Sequence, residues 1–383
     1  MKKINDAKIV LRILEEKGFE AYIVGGAVRD YLLKMPINDV DITTSATPRE
    51  VLKEFKGIPT GIKYGTVTIS FKGEEYEVTT FRSEEGYYDN RHPEEISFEA
   101  DVLKDVFRRD FTMNGLLMDS KGFIIDHVDG KKAIKHQFIK AIGNPSERFN
   151  EDALRILRAF YFESKLGFSI DAETKKSIEE NRDLVSKIAS ERVLDELLKI
   201  LQGKELKKTF SSMVETKINE VLPGLGKGIQ FFSKQNEMPM VDMFFITSFT
   251  LANEVPDYWK FSNKHRHKYQ TVMELANSTI DFTHKELYKF GLEFCQAANR
   301  VNFLLKRGPL KTHDLLQAFN NLPIKSSLDL RFRARDILKL SDRKAGAWVN
   351  NLITEMADLV LDGKLKNTYS ELENYAKSNY ERF

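Results

Sequence analysis

Apolar residues recur at Ile4, Ala7, Leu11 and Leu14, one face of a helix over the first 20 positions. A short apolar run, Ala21 to Val24, then ends at Gly25-Gly26, which predicts a strand entering a tight turn. Residues 27–33 predict a helix. Val67 to Phe71 and Tyr76 to Phe81 alternate around Lys72-Gly73-Glu74, the pattern of a hairpin, and Phe123 to Ile125 predicts one more short strand. Past Pro145 the periodicity is helical almost throughout, with breaks near Gly203, Pro223-Gly224, Gly308-Pro309 and Pro323. The expected class is α+β: a small mixed head over roughly 140 residues, then an all-helical remainder.

The chain has 383 residues, too many for one ordinary core, and its 42% hydrophobic and 30% charged content is that of a globular protein. No apolar stretch is long enough to span a bilayer, and no membrane partner is expected. The first 20 residues carry charges every few positions, unlike a signal peptide. A single cysteine, Cys295, rules out a disulfide framework or a thiolate metal site within one chain, so a reducing, cytoplasmic setting is expected. The net charge of +2 leaves nucleic-acid binding to local basic patches.

The most informative segment is Tyr22 to Thr44, YIVGGAVRDYLLKMPINDVDITT. In a strand, Asp39 and Asp41 point to one face while Val40 and Ile42 pack behind them. Carboxylates held that close raise each other's pKa unless a cation intervenes, and hard divalent ions such as Mg²⁺ suit oxygen donors. Gly25-Gly26 before a helix start offers backbone N–H groups to a triphosphate, and Arg29 lies within reach of the same phosphates. Glu77, in Tyr76-Glu77-Val78, is the candidate third carboxylate. A lone Asp-x-Asp or Gly-Gly is more often only a turn. The ordered series of strand, Gly-Gly, helix and Asp-x-Asp is far more specific.

GGAVRD followed by DVDITT resembles motif A of the polymerase-β-like nucleotidyltransferases. More narrowly, it is similar to the class II tRNA nucleotidyltransferases and bacterial poly(A) polymerases. Arg108-Arg109-Asp110-Phe111-Thr112-Met113-Asn114 matches that family's RRDFTxN motif. Adjacent arginines can hold triphosphate oxygens bidentately, and Asp110 and Asn114 can hold a ribose or brace the arginines. The resemblance implies that Arg109 contacts the nucleotide. It also places a loop at Arg82 to Pro93, RSEEGYYDNRHP, where the family switches from adding C to adding A.

Glu147 to Phe162, ERFNEDALRILRAFYF, predicts one helix with Asp152, Arg155 and Arg158 three residues apart on a polar face. Such a pair is usually a surface ion pair. The alternative is that it reads a base, since a carboxylate beside a guanidinium complements the amino donor and ring acceptor shared by cytosine and adenine. Guanine and uracil present the opposite order and would leave buried partners unpaired. EDALR matches the family's EDxxR motif, which implies that Asp152 and Arg155 read the base and Arg158 contacts the nucleotide. Tyr161 stands where relatives often have Arg. Glu191-Arg192 opens a helix whose expected part is ionic bracing of the preceding one.

In the C-terminal half, Lys260, Lys264, Arg266 and Lys268 are interleaved with Trp259, Phe261 and Tyr269, and Arg331, Arg333 and Arg335 lie before Lys344. Each cluster is either a solvated helix face or a phosphate-binding patch. Ala345-Gly346-Ala347 replaces a PGP-like turn of relatives, and His313-Asp314 lacks the partners of a metal phosphohydrolase.

The resemblance implies a polymerase-β-like head (1–140), a helical neck (141–210), a body (211–310) and a tRNA-binding tail (311–383). The implied reaction is template-free addition of CCA to the 3′ end of tRNA from CTP and ATP with release of pyrophosphate, using two Mg²⁺ at Asp39 and Asp41. Expected partners are tRNA, CTP and ATP, with a homodimer left open. Rival readings are a relative restricted to A, CC or poly(A) addition, nucleotidyl transfer to a protein or small molecule, and a catalytically silent RNA-binding protein.

Overall fold

The computed structural model describes residues 1–87, 93–98, 101–340 and 343–383. The chain divides into two compact units, Met1–Val241 with Asp257–Lys260, and Asp242–Pro256 with Phe261–Phe383.

The first unit opens with helix α1 (Lys2–Glu16), strand β1 (Ala21–Val24), α2 (Gly26–Leu32), β2 (Asp41–Thr44) and α3 (Pro48–Glu54). Strands β3 (Gly57–Gly61), β4 (Thr66–Phe71), β5 (Glu74–Thr80), β6 (Arg82–Tyr87) and β7 (Pro93–Phe98) follow, then α4 (Val102–Phe107), β8 (Leu117–Met118) and β9 (Ile124–Ile125). The remainder holds α5 (Gly130–His136), β10 (Phe138–Ile139), α6 (Pro145–Glu151), α7 (Leu154–Leu166), β11 (Ser169–Ile170), α8 (Ala172–Asn181), α9 (Ser190–Leu201) and α10 (Leu206–Glu215). The mixed head followed by a helical remainder is the expected α+β class.

Seven strands form one sheet in the order β3-β4-β5-β2-β1-β8-β9, in which β2 and β5 run parallel and the other neighbours antiparallel. The β4–β5 turn is two residues, Lys72 and Gly73, both at positive φ, the geometry that matches the twist of a hairpin. Ile23, Ile42, Val67, Ile69, Tyr76 and Val78 put one face of the sheet into a core with Ile4, Ala7, Leu11 and Leu14 of α1. The period of two then turns Asp41 and Thr43 to the opposite face, where Thr43 donates to Asp105 next to a small cluster of Val24, Val106 and Leu117. Packing of Val40 and Ile42 into the α1 core therefore fixes where Asp41 points.

Three details differ from the sequence expectation. Arg82–Tyr87 and Pro93–Phe98 pair as antiparallel strands rather than forming a loop, while positions 88–92 lie outside the described residues. The helix expected from Glu147 to Phe162 is two helices, broken at Asp152 and Ala153. Asp152 takes an extended backbone (φ −140°, ψ 103°) and its carboxylate accepts from the Leu154 N–H, the local competition that disfavours aspartate inside helices. The expected helical remainder also contains β11, which pairs parallel to β10.

Trp259 is fully buried in the first unit, its indole N–H donating to the Pro223 carbonyl. In the second unit Tyr269 is buried and donates to Asp242, while Lys268 pairs with Asp242 and Glu293. Trp259 and Tyr269 are therefore core residues rather than stacking platforms. No helix among the described residues is long and apolar enough to cross a membrane.

Ile42, 1% exposed, anchors β2 to the α1 core, whereas Ile58 is 62% exposed. Ile42→Ala is expected to destabilise the first unit by about 2–5 kcal/mol in chemical denaturation. Ile58→Ala is expected to stay within about 0.5 kcal/mol.

Candidate active site

The segments singled out from sequence meet at a polar cleft of about 560 Å³. Gly25, Gly26, Arg29, Asp39, Asp41, Arg108, Arg109, Asp110, Asn114, Asp152, Arg155 and Arg158 all line it, together with Tyr161, Phe162 and Lys199. Six cationic side chains face four carboxylates there.

Asp41 begins β2, and Asp39 lies just before the strand with Val40 buried between them. Asp41 stands in register with Glu77 on the parallel strand β5. Desolvation of the Asp41 carboxyl and the neighbouring charge of Glu77 raise its pKa; Arg109 opposes the rise, and Asp39 adds to it. Among the described residues, no three His, Cys, Asp or Glu side chains form a group able to hold a metal ion. Glu77 stands beside Asp41 as a neighbouring negative charge. Gly25, at φ 70°, begins the turn into α2; a Cβ there would sit 3.5 Å from Arg109 Nη1 and 3.8 Å from Asp41 Oδ2. A side chain at Gly25 would be strained by its backbone and would enter the space between cation and carboxylate.

The arginines are held by carboxylates from several elements. Asp105 of α4, fully buried, accepts from Arg108 Nη2 at 2.6 Å and from Arg109 Nη2 at 2.9 Å. Burial alone would raise the Asp105 pKa, but the Arg109 and Arg108 guanidiniums outweigh it and hold the carboxyl below its usual range. Asp110, within RRDFTMN, receives Arg158 at 2.7 Å and the Asn114 amide at 3.0 Å. Its pKa is likewise lowered, against its burial, by Arg158 and by hydrogen bonds from Asn114, Arg158 and the Phe111 N–H.

Arg29 is 3% exposed, with Nη1 donating to Asn114 and Nε and Nη2 to Asp30. Its guanidinium and that of Arg158 lie 5.1 and 5.3 Å from the centre of the Phe162 ring. Arg29 is therefore tied to Asp30 and Asn114, and it braces the RRDFTMN turn from α2. Of the two sequence readings of Asp110 and Asn114, bracing the arginines is what the geometry displays.

At the neck side, Arg155 is also committed. Its Nη1 donates to Glu151 at 2.6 Å and to the Arg148 carbonyl, and its Nη2 donates to the Arg108 carbonyl. Asp152 pairs with Arg192 of α9 at 3.0 Å. Asp152 and Arg155 do not form the plain surface ion pair with each other; they are two separately fixed side chains lining one cleft. Arg192, at the head of α9, is the ionic brace expected of that helix. Tyr161 faces the cleft, and its hydroxyl accepts from Lys165 at 3.2 Å.

Residues 21–140 match the Poly A polymerase head domain, 167–227 the probable RNA and SrmB-binding site of polymerase A, and 243–376 a putative tRNA nucleotidyltransferase domain 2. The CCA-adding enzyme of Anoxybacillus flavithermus is 36% identical over 394 residues, spanning 99% of this chain and 98% of its own. The chain belongs to the CCA-adding enzyme family. Another member, from Lactobacillus delbrueckii subsp. bulgaricus, is 37% identical over 380 residues and 96% of both chains. A crystal structure of the Bacillus stearothermophilus CCA-adding enzyme in complex with CTP superposes with a TM-score of 0.78 at 31% identity, covering 99% of this chain and 98% of that one. Membership in the CCA-adding enzyme family accounts for the order of motifs along the first 200 residues.

Sequence reasoning missed Asp105, Lys199 and Phe162. Asp105 precedes the double arginine by three and four positions, a helical ion-pair spacing that was legible. Lys199 pairs with Glu196 on α9 and reaches the cleft only through the packing of α9 on α7, which no local pattern records.

Asp105→Asn is expected to cost about 3–5 kcal/mol at neutral pH, because it leaves Arg108 and Arg109 without their buried partner. A lowered carboxylate pKa contributes stability above the unfolded value, about 4, and loses it as pH falls through the folded value. Urea unfolding should therefore show wild type and variant converging as pH drops below about 4.

Proposed function

We propose that this chain adds CCA to the 3′ end of tRNA from CTP and ATP, without a nucleic-acid template and with release of pyrophosphate. The observation that carries the reading is the single cleft in which the Asp39–Asp41 pair faces the Arg108–Arg109 pair while Asp152 and Arg155 line the neck side. A silent RNA-binding protein would have no need to place Asp41 where desolvation and the charges of Glu77 and Asp39 raise its pKa.

The donor set fits Mg²⁺, which is commonly bound by one or two carboxylates together with substrate phosphates. Asp39 and Asp41 would hold two such ions, which would lower the pKa of the attacking 3′-hydroxyl and neutralise the triphosphate. Arg109, fixed by Asp105 but with Nε buried and unpartnered among the described residues, takes triphosphate oxygens. Arg158 holds the nucleotide from α7, and Arg29 keeps the turn beneath it in place. Arg155 and Asp152, each immobilised by its own partners, offer a cytosine or adenine edge a fixed donor and acceptor.

The exposed Arg331, Arg333, Arg335 and Lys344 of the second unit supply contacts to the tRNA backbone. A reducing, cytoplasmic setting is in keeping with the single cysteine.

The test is extension of a tRNA ending at the discriminator base, in Mg²⁺, with CTP, ATP or both. Growth by two residues with CTP and by three with both is expected. Arrest at CC, A added only to a CC end, or a long A ladder would assign a restricted or poly(A) relative instead. Asp39→Ala and Asp41→Ala are each expected to lower incorporation at least a thousandfold, about 4 kcal/mol of barrier, with the tRNA Kd nearly unchanged. Substantial residual incorporation would remove these residues from the metal site.

A further inference from the structure

Of the cationic side chains lining the cleft, Lys199 alone is an ammonium, and it comes from α9 rather than from one of the motif segments. A lysine in the last turn of a helix is ordinarily explained by the helix dipole and by solvent. Lys199 has a different setting. Its Nζ lies 3.0 Å from Glu196, whose side chain is almost wholly buried. A carboxylate that deep is costly unless cations meet it, and Glu196 Oε1 has no hydrogen-bond partner among the described residues. Desolvation disfavours the Arg158 charge, yet Asp110 and then Glu196 outweigh it and raise its pKa. Glu196 is thus a buried anion serving two cleft cations, and it fixes Lys199 at the cleft wall.

The place along the cleft follows from the helix period. Arg192 and Lys199 are seven residues apart on α9, which puts them on one face and about 10 Å apart along its axis. Arg192 meets Asp152, the proposed base reader, and α9 packs along α7 from there. On α7 the next turns bring Arg158, bound to Asp110, and then Phe162, which lies against the guanidinium of Arg29. Arg29 belongs to α2, the helix that opens from the Gly25–Gly26 turn. A nucleotide whose base edge meets Asp152 therefore extends its phosphates in the direction in which Lys199 lies.

The arginines of the cleft have much of their donor capacity committed. Arg108 and Arg109 share Asp105, Arg158 binds Asp110, Arg29 binds Asp30 and Asn114, and Arg155 binds Glu151 and two carbonyls. Lys199 gives one of three ammonium donors to Glu196, and its side chain is 53% exposed, which leaves two donors for a ligand.

We infer that Lys199 is a further nucleotide-contacting residue, donating to the β- and γ-phosphates, the two that leave as pyrophosphate. The inference rests on the reading of this cleft as the site of CMP and AMP transfer. Fixed by a buried carboxylate, the ammonium meets the triphosphate as a placed point charge and gives up little freedom on binding. Because these phosphates are common to all nucleoside triphosphates, the contact adds affinity without choosing the base.

Equilibrium dialysis of the full chain with CTP or CMP, in Mg²⁺ and without tRNA, tests the contact. Lys199→Gln should weaken CTP binding about tenfold, the scale of one charge-assisted bond, and CMP binding by less than about twofold. Lys199→Arg should keep most of the CTP affinity. The relative incorporation of the four nucleotides should be the same in Lys199→Gln as in wild type. Equal weakening of CTP and CMP would mean that the substitution only displaces α7, and it would overturn the assignment. Unchanged CTP affinity would overturn it as well, and so would a raised tRNA Kd in place of weaker CTP binding, which would give Lys199 to the RNA strand. A wild-type chain that binds no CTP would remove the proposed function and this contact together, whereas a wild type that binds CTP beside an indifferent variant strikes the contact alone.

Discussion

A guanidinium keeps its charge at every accessible pH, so each arginine drawn into a protein must arrive with an acceptor or remain in water. This structure brings Arg29, Arg108, Arg109, Arg155 and Arg158 to one cleft, and the rest of the first unit is arranged around meeting that demand. Asp30, Asp105, Asp110 and Glu151 each answer one or two of them. Those acceptors come from α2, α4, the RRDFTMN turn and α6, so satisfying the arginines also fixes the head against α7. A cleft that must hold a highly charged triphosphate is thereby built before the triphosphate arrives, and little reorganisation is left for the moment of binding.

The carboxylates of β2 follow the opposite rule. Asp41 gains from Arg109 but loses to desolvation, Glu77 and Asp39, and its pKa rises on balance. The arginine wall has been neutralised locally while the Asp39–Asp41 end has been left in want of positive charge. That asymmetry, rather than the net charge of the chain, is what suits the Asp39–Asp41 end to the divalent ions, and the arginine end to the phosphates and bases, of the proposed function.

Much of this was legible in the sequence because it depends on local periods. Alternation around Asp39, Val40, Asp41 and Ile42 set both the core face and the carboxylate face of β2, and the stripe at Ile4, Ala7, Leu11 and Leu14 is wholly buried. The register of Glu77 beside Asp41 followed from the placement of two strands. What was not legible depends on competition or on long-range packing. The break at Asp152 arises because its carboxylate captures a nearby N–H, which a helical pattern of apolar residues conceals. Arg155 reaches the Arg108 carbonyl, 47 residues earlier in the chain, and Asp152 reaches Arg192, 40 residues later, separations that no local spacing rule covers. The strands at Arg82–Tyr87 and Pro93–Phe98 were hidden by charged, glycine-containing sequence that reads as a loop.

Under the proposed function, fixed side chains, Asp152 above all, select the incoming base in place of a template. Single-nucleotide incorporation by Asp152→Ala, with each of the four nucleoside triphosphates offered in competition, tests it most directly. GTP and UTP incorporation is expected to rise relative to CTP and ATP by about tenfold or more, the scale of one lost charged hydrogen bond, while the tRNA Kd changes little. An undiminished preference for CTP and ATP would contradict it.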